Sequence, residues 1–163
     1  MKNNLKENNL SGINAMKPAK RIDIVSLKMV KENSITYSNR VFSSPADSAT
    51  IIKDFIEDSD REQMIVCCLD MKNQPTSISV VSIGSLNSAI VHPREVYKTA
   101  ILSNAASIII AHNHPSGIVD PSHEDITLTN RLDEAGKIIG IKLLDHLIIG
   151  YGNFYSFKEE GML

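Results

Sequence analysis

Two histidines and one aspartate in this sequence have the types and spacing of a metal-binding site. His112 and His114 follow an apolar run of strand length, residues 108–111. Side chains two residues apart on extended backbone point to the same side, so the two imidazoles can converge. Asp125 follows at the start of a predicted helix, where its carboxylate can reach the pair. Two histidines and one carboxylate without a fourth protein ligand are the composition of a catalytic zinc site, which keeps one position open for water.

These residues also have purely structural interpretations. A pair of histidines at the end of a strand can simply hydrogen-bond nearby carbonyl groups. The run Ser122–Asp125 can serve as a capping box, with Ser122 as the N-cap of a helix. The two interpretations of Asp125 are compatible, because a helix that begins at Ser122 also fixes the position of an aspartate in its first turn.

The rest of the chain alternates between strand-like and helix-like patterns, which predicts an α/β domain of two or three layers. Ser44 followed by Pro45 is a helix start, because serine is a favoured N-cap and proline suits the first helical position. Two more helices are predicted, one from about Pro93 and one from about Ser122 to Ile138. Strands are predicted from apolar alternation and from continuous apolar runs. They are a strand that begins at Ile22 and the segments 35–37, 64–69, 77–83, 108–111, 141–149 and 154–157.

The composition is typical of a soluble globular protein with one domain. The chain has 163 residues, of which 42% are hydrophobic and 22% are charged. No apolar run approaches the roughly 20 residues that cross a bilayer, and the N-terminus has no apolar segment of a secretory signal. Cys67 and Cys68 are neighbours in an apolar run, where a mutual disulfide would be strained. We therefore expect two reduced, buried thiols and a cytoplasmic protein.

The charge is distributed unevenly between the two ends of the chain. Residues 1–40 carry eight Lys and Arg against three Asp and Glu, whereas residues 41–163 carry nine against sixteen. Residues 1–20 are rich in Asn and Lys and are predicted to be a disordered arm, which leaves residues 21–163 as the folded domain. A basic arm can contact nucleic acid through its phosphates, although such arms are commonly only solvated. Nucleic acid is therefore the weaker expectation for a partner, and a membrane is not expected.

The segment His112–Gly117, with the sequence His-Asn-His-Pro-Ser-Gly, resembles the JAMM signature of JAB1/MPN-type metalloproteases when it is taken with Ser122 and Asp125. The form is that of RadC-like proteins, and the resemblance covers about residues 42–161. It includes Pro93–Val96, Asn104–Ala105, Leu144–His146 and Tyr155–Ser156. The resemblance implies a JAB/MPN fold, a cytidine-deaminase-like three-layer α/β domain in which helices flank a mixed β-sheet. Longer RadC-like proteins carry a helix-hairpin-helix region ahead of this domain. Some forty residues precede it here, and this lowers the expectation of a DNA-binding role.

The resemblance also implies roles for individual residues. His112, His114 and Asp125 are expected to bind Zn²⁺. Ser122 is expected to cap the third helix and to help hold either the oxyanion that forms on the substrate or the zinc-bound water. Asn113 points away from the histidine pair and is expected to fix the loop.

Hydrolysis of an amide also needs a carboxylate that takes a proton from water and delivers it to the leaving amine. In the family this residue is a glutamate at the head of an upstream central strand. Glu62, just before the apolar run 64–69, fits this description best. Glu95, in the first turn of the second helix, is the rival, although the helix dipole alone explains a glutamate there.

The predicted function is that of a zinc-dependent hydrolase, either a metallopeptidase or an isopeptidase, with a peptide or protein as substrate. The sequence has no His-Glu-x-x-His motif of the zincins and no Pro-Cys-x-x-Cys motif of the zinc deaminases. A nucleic-acid-processing protein linked to DNA repair and a non-catalytic MPN-type scaffold are the alternatives. Asp145 and His146, on the predicted strand 141–149, either orient a zinc ligand or belong to the core.

Overall fold

The computed structural model of the chain describes residues 21–38, 40–84 and 91–163. The predicted arm, residues 1–20, lies outside the described residues. None of the helices in the described part of the chain is long and apolar enough to cross a membrane. The helices and strands, in chain order, are α1 (Pro45–Ile56), β1 (Gln63–Leu69), β2 (Pro75–Ile83), α2 (Pro93–Leu102), β3 (Ser107–Asn113), α3 (His123–Ile139), β4 (Lys142–Ile149) and β5 (Phe154–Ser156).

The strands form one mixed sheet in the order β2-β1-β3-β4-β5. β3 and β4 are parallel, whereas the other neighbouring strands are antiparallel. Two parallel neighbours need a crossover connection between them, and α3 supplies it. β3 lies in the middle of the sheet and is buried along its whole length, as expected for an apolar strand that is covered on both faces.

Helices cover the sheet on both faces, which confirms the predicted three-layer α/β fold. Ile108 and Ile110 of β3 share a hydrophobic core with side chains of α2 and α3. Ile109 and Ala111 point the opposite way and share a second core with side chains of α1. Because side chains alternate along a strand, every even-numbered residue of β3 faces α2 and α3.

The start of α1 follows the local chemistry of its sequence. The Ser44 hydroxyl accepts the Asp47 backbone N–H, and the Asp47 carboxylate accepts the backbone N–H of Ser44, so the two residues form a complete capping box. Pro45 is the first helical residue, where its missing N–H is harmless. The prediction of a helix that starts after Ser44 is confirmed.

The two strands predicted near the N-terminus are wrong. Residues 21–38 and 40–44 contain neither helix nor strand. Ile22 and Ile24, which suggested the first strand, are 91% and 101% exposed. Apolar alternation indicates a strand because one face becomes buried, and the fold places no layer against these side chains. The segment 35–37, the predicted partner strand, is exposed as well.

Candidate metal centre

His112 and His114 lie at the carboxyl end of β3. His112 is on the even-numbered side of the strand and therefore faces α2 and α3, and its side chain is fully buried. His114 directly follows the strand, and its backbone N–H donates to the Ile149 carbonyl of β4 at 2.8 Å. The His114 side chain is 16% exposed, so this histidine lies on the solvent side of the pair.

Asn113, between the two histidines, points to the opposite face and holds β3 against the segment that enters β1. Its Oδ1 accepts the Gln63 backbone N–H at 2.8 Å, and its Nδ2 donates to the Arg61 carbonyl at 3.1 Å. Asn113 therefore points away from the histidine pair as predicted, but the backbone that its side chain fixes is that at the entry to β1 rather than the loop after β3.

Asp125 is held by the capping box that starts α3. Its Oδ2 accepts the Ser122 backbone N–H at 2.8 Å and the Ser122 hydroxyl at 2.6 Å, while the Ser122 Oγ accepts the Asp125 backbone N–H at 3.1 Å. The cap thus uses one carboxylate oxygen, and Oδ1 is the oxygen that approaches His112. The Ser122 hydroxyl has a single proton, and it is donated to Asp125. A contact from this hydroxyl to a substrate oxygen therefore requires it to rotate.

The loop between β3 and α3 is folded back tightly so that the helix start meets the histidines. Gly117 has a φ of +79°, a left-handed conformation that glycine adopts without strain. The Tyr151 ring packs beside it, and the Tyr151 hydroxyl donates to the Pro115 carbonyl at 2.9 Å. This turn brings the chain back toward the end of β3, so that Asp125 lies beside His112 and His114.

The ligand atoms of the two histidines and the aspartate converge on one point. The Nε2 atoms of His112 and His114 are 3.0 Å apart. Asp125 Oδ1 is 3.3 Å from His112 Nε2, and Asp125 Oδ2 is 3.9 Å from His114 Nε2. Zinc–ligand distances of about 2.0–2.2 Å in a tetrahedral site separate neighbouring ligands by roughly 3.3–3.5 Å. The separations in this cluster are close to that value.

The proton of His114 lies on Nδ1, which leaves a lone pair on Nε2, the nitrogen that faces His112 and Asp125. His114 Nδ1 is 2.6 Å from the Ile118 carbonyl oxygen. A carbonyl can only accept, so Nδ1 carries the proton and Nε2 of the neutral ring has a free lone pair. This lone pair and the Asp125 carboxylate face the same point, where a bound cation would satisfy both. Nitrogen and carboxylate ligands of this kind suit Zn²⁺.

Burial lowers the pKa of His112 to about 4, and the neighbouring Asp125 carboxylate opposes this shift only in part. His112 is therefore neutral near pH 7. A histidine must be neutral to bind a metal, so burial keeps the His112 side chain in the form that binds a metal ion.

Comparison with known proteins identifies the family of the chain. A family model described as RadC-like JAB domain matches residues 42–162. This chain belongs to the RadC-like JAB domain family. The UPF0758 protein of Methanosarcina mazei is 44% identical over 154 residues, which cover 94% of this chain and 67% of that protein. The UPF0758 protein of Moorella thermoacetica is 52% identical over 130 residues, which cover 80% of this chain and 57% of that protein.

A third relative, the UPF0758 protein of Clostridium acetobutylicum, is 44% identical over 163 residues, covering 98% of this chain and 71% of its own length. The matched region thus spans between about half and about two thirds of most of these relatives, for example 54% of the Rubrobacter xylanophilus protein. The RadC-like JAB domain is therefore shared with longer proteins.

The two candidate proton carriers of this JAB domain have different surroundings. Glu62 directly precedes β1 and is partly buried, and two residues later Met64 pairs with His112 across the sheet. Glu95 lies on α2 with 43% of its side chain exposed, and it forms ion pairs with Arg94 and Lys98. Lys98 lowers the pKa of Glu95. A general acid needs a pKa raised toward neutrality, so the surroundings of Glu95 suit a surface ion pair.

His146 and Asp145 of β4 were the other predicted neighbours of the site. His146 Nε2 is 2.9 Å from His112 Nδ1, so His146 does contact a candidate ligand. Asp145 does not contact the ligands, and it accepts the Ser156 hydroxyl at 2.7 Å. Thr129 of α3 was not among the predicted site residues, but its hydroxyl lies 2.6 Å from His146 Nδ1. Its position one helical turn after Asp125 is the signal that could have drawn attention to it.

Proposed function

We propose that this RadC-like JAB domain is a zinc-dependent hydrolase of amide bonds, acting as a metallopeptidase or an isopeptidase on a peptide or protein. The observation that carries the proposal is the convergence of His112, His114 and Asp125, whose ligand atoms all lie within 4.8 Å of one another. Among the described residues no fourth side chain joins this cluster, and three protein ligands are the arrangement of a catalytic rather than a structural zinc site.

His112 Nε2, His114 Nε2 and Asp125 Oδ1 would hold the ion. The chemistry that zinc supplies in such a site is a lowered pKa of water, toward 7, and polarisation of a carbonyl group. His112 and Asp125 are buried to 0% and 2% exposure, while His114 is partly open. Substrate therefore reaches the site past His114, and the other two residues keep the inner side free of water.

Glu62 is the proposed proton carrier. Side chains alternate along a strand, so a residue two positions before Met64 belongs to the same face as Met64 and its partner His112. The antiparallel pairing of β1 with β3 ends at Met64 and His112, and Glu62 lies just beyond it, at the end of the sheet where His114 lies. From this position its carboxylate would take a proton from water and deliver it to the leaving nitrogen. Ser122 would donate its hydroxyl to the substrate oxygen after rotation away from Asp125.

The test combines metal analysis with hydrolysis assays on a pooled library of internally quenched peptides and on isopeptide-linked lysine peptides. We expect about one zinc per chain and chelator-sensitive cleavage of at least one substrate. Glu62→Gln should keep the zinc and lose about 100-fold or more in kcat, the usual contribution of a general acid or base. Glu95→Gln is the matched control and should keep both zinc and activity.

Each alternative function predicts a different result in the same assays. Cleavage of DNA without cleavage of any peptide would replace the amide hydrolase by a nucleic-acid-processing enzyme. Zinc binding without hydrolysis of either substrate would support a scaffold. A protein that binds no zinc after reconstitution at neutral pH would refute the metal site itself.

A further inference from the structure

We propose that Thr129 and His146 are positioning residues that fix the tautomer of His112 and so direct a lone pair toward the metal site. The inference rests on the proposed zinc site. It adds a chain of hydrogen bonds that begins at the backbone of one ligand, Asp125, and ends at the side chain of another, His112.

The contacts of this chain are short and buried. Thr129 Oγ1 donates to the Asp125 backbone carbonyl at 2.6 Å and is also 2.6 Å from His146 Nδ1. His146 Nε2 is 2.9 Å from His112 Nδ1. Thr129 is 1% exposed, and His146 and His112 are fully buried. Water therefore does not compete for these groups.

The positions of the protons follow from the first contact. A carbonyl oxygen only accepts, so the single hydroxyl proton of Thr129 is donated to the Asp125 carbonyl. Thr129 Oγ1 must then accept from His146, which places the His146 proton on Nδ1. A neutral His146 has a lone pair on Nε2, so the His112 proton lies on Nδ1 and donates to it. The His112 lone pair is left on Nε2, 3.0 Å from the Nε2 lone pair of His114 and 3.3 Å from Asp125 Oδ1, so three electron-rich atoms meet where a cation would bind.

The neighbours of His146 hold its ring in the orientation that this chain requires. Phe157 stacks on the imidazole with ring centroids 4.7 Å apart and an angle of 11° between the planes. The Phe157 backbone N–H donates to the His146 carbonyl at 3.1 Å. Asp145 accepts the backbone N–H of His146 at 2.8 Å and the Lys158 backbone N–H at 3.1 Å. The segment after β5 thus fixes both the backbone and the ring plane of His146.

Removal of the Thr129 hydroxyl should reverse the chain of protons. In Thr129→Val the Nδ1 proton of His146 has no acceptor, so the ring gains by moving its proton to Nε2. It then donates to His112 Nδ1, and the His112 proton moves to Nε2, where it blocks the metal site. We expect zinc affinity to fall about 10-fold or more, within the 10–100-fold range measured for groups that orient metal ligands.

Two measurements test the inference. The first is ¹⁵N spectroscopy of histidine side chains in the metal-free protein, which reports the tautomer of each ring without any enzymatic assay. The native protein should carry its His112 and His146 protons on Nδ1, and Thr129→Val should move the His112 proton to Nε2. A native His112 protonated on Nε2 would overturn the inference, whatever the variants do.

The second measurement is zinc affinity by competition with a chromophoric chelator. Thr129→Ser keeps the hydroxyl and should retain native affinity, and Thr127→Val makes the same change at an exposed position of α3 and should do the same. Equal zinc affinity of native protein and folded Thr129→Val would overturn the inference while leaving the zinc site intact. Absence of zinc binding by the native protein would instead refute the proposed function, and the tautomers would still decide the arrangement of protons.

Discussion

Helices α1 and α3 begin with the same motif, Ser-x-x-Asp, and the two starts have nearly the same local geometry. In α1 the Asp47 carboxylate accepts the Ser44 backbone N–H at 2.9 Å, and in α3 the Asp125 carboxylate accepts the Ser122 backbone N–H at 2.8 Å. The reciprocal bonds to the serine hydroxyls measure 3.3 Å and 3.1 Å. Local chemistry therefore does not distinguish a helix cap from a metal ligand.

The two starts differ in what lies beside them. The segment before α1 contacts the β1–β2 turn, where the Phe42 backbone N–H donates to the Asn73 carbonyl, at the sheet end opposite to the histidines. The start of α3 lies against the end of β3, which places Asp125 Oδ1 3.3 Å from His112 Nε2. The sheet topology, rather than the motif, makes Asp125 a candidate ligand.

The largest expected effect separates the two aspartates. Asp125→Asn should abolish tight zinc binding, with a loss beyond the roughly 100-fold that marks groups which only orient ligands. Asp47→Asn, its matched control, should leave zinc affinity unchanged, because Asp47 lies far from the histidines and asparagine can still accept the Ser44 backbone N–H. Competition titration with a chromophoric chelator measures both. Native affinity in Asp125→Asn would exclude this carboxylate from the site.

The second effect compares the two capping serines. Ser44→Ala and Ser122→Ala should each lower the free energy of unfolding of the metal-free protein by about 1 kcal/mol, because each removes an N-cap side chain. Only Ser122→Ala should also weaken zinc binding, by about 10-fold, since the hydroxyl orients Asp125. Urea unfolding with chelator and zinc titration give the two values. Equal zinc affinity of the two variants would show that the backbone N–H of Ser122 suffices to hold Asp125.

A smaller effect concerns the loop that returns α3 to the histidines. Gly117→Ala and Gly140→Ala place a side chain at φ values of +79° and +81°, and each should cost about 1–2 kcal/mol of stability. An added Cβ meets the Tyr151 ring 2.7 Å away at Gly117 but open space at Gly140. Gly117→Ala should therefore be the less stable variant, and it alone should weaken zinc binding, by a few-fold. A larger destabilisation by Gly140→Ala in urea unfolding would contradict this.

The last prediction is that Cys67 and Cys68 do not react with alkylating reagents in the folded protein. Cys67 belongs to the core shared with α1, and Cys68 belongs to the core shared with α2 and α3. Burial raises the pKa of the Cys67 thiol to about 12 and also raises that of Cys68, and only the thiolate reacts with alkylating reagents. Mass spectrometry after iodoacetamide treatment at pH 8 should find neither thiol modified in the native protein and both modified in urea. Modification of one cysteine alone would show that the helical layer on its face opens.

The sequence was sufficient to predict the structure correctly wherever the deciding interaction is local. The cap at Ser44, the helix that begins after Ser122 and the inward pairing of His112 with His114 all depend on residues within four positions of one another, and the structure has each of them. The strand expected at Ile22 failed because a strand also needs a partner and a buried face, which local alternation cannot supply. The contact between Thr129 and His146 was missed for a similar reason. Thr129 lies on α3 and His146 on β4, and the packing of this helix against this strand brings the two side chains together.

The crossover from β3 through α3 to β4 contains every group that the proposed zinc site needs to bind the ion. His112, His114 and Asp125 lie on it, as do the residues that orient them, Ser122, Thr129 and His146. Glu62 belongs to a different part of the chain, at the entry to β1. In this proposal, zinc binding depends on one continuous supersecondary unit, β3-α3-β4. Proton transfer depends on how the antiparallel strand β1 packs beside that unit. A relative that keeps the β3-α3-β4 unit but lacks the glutamate at the entry to β1 would bind zinc and lose hydrolytic activity.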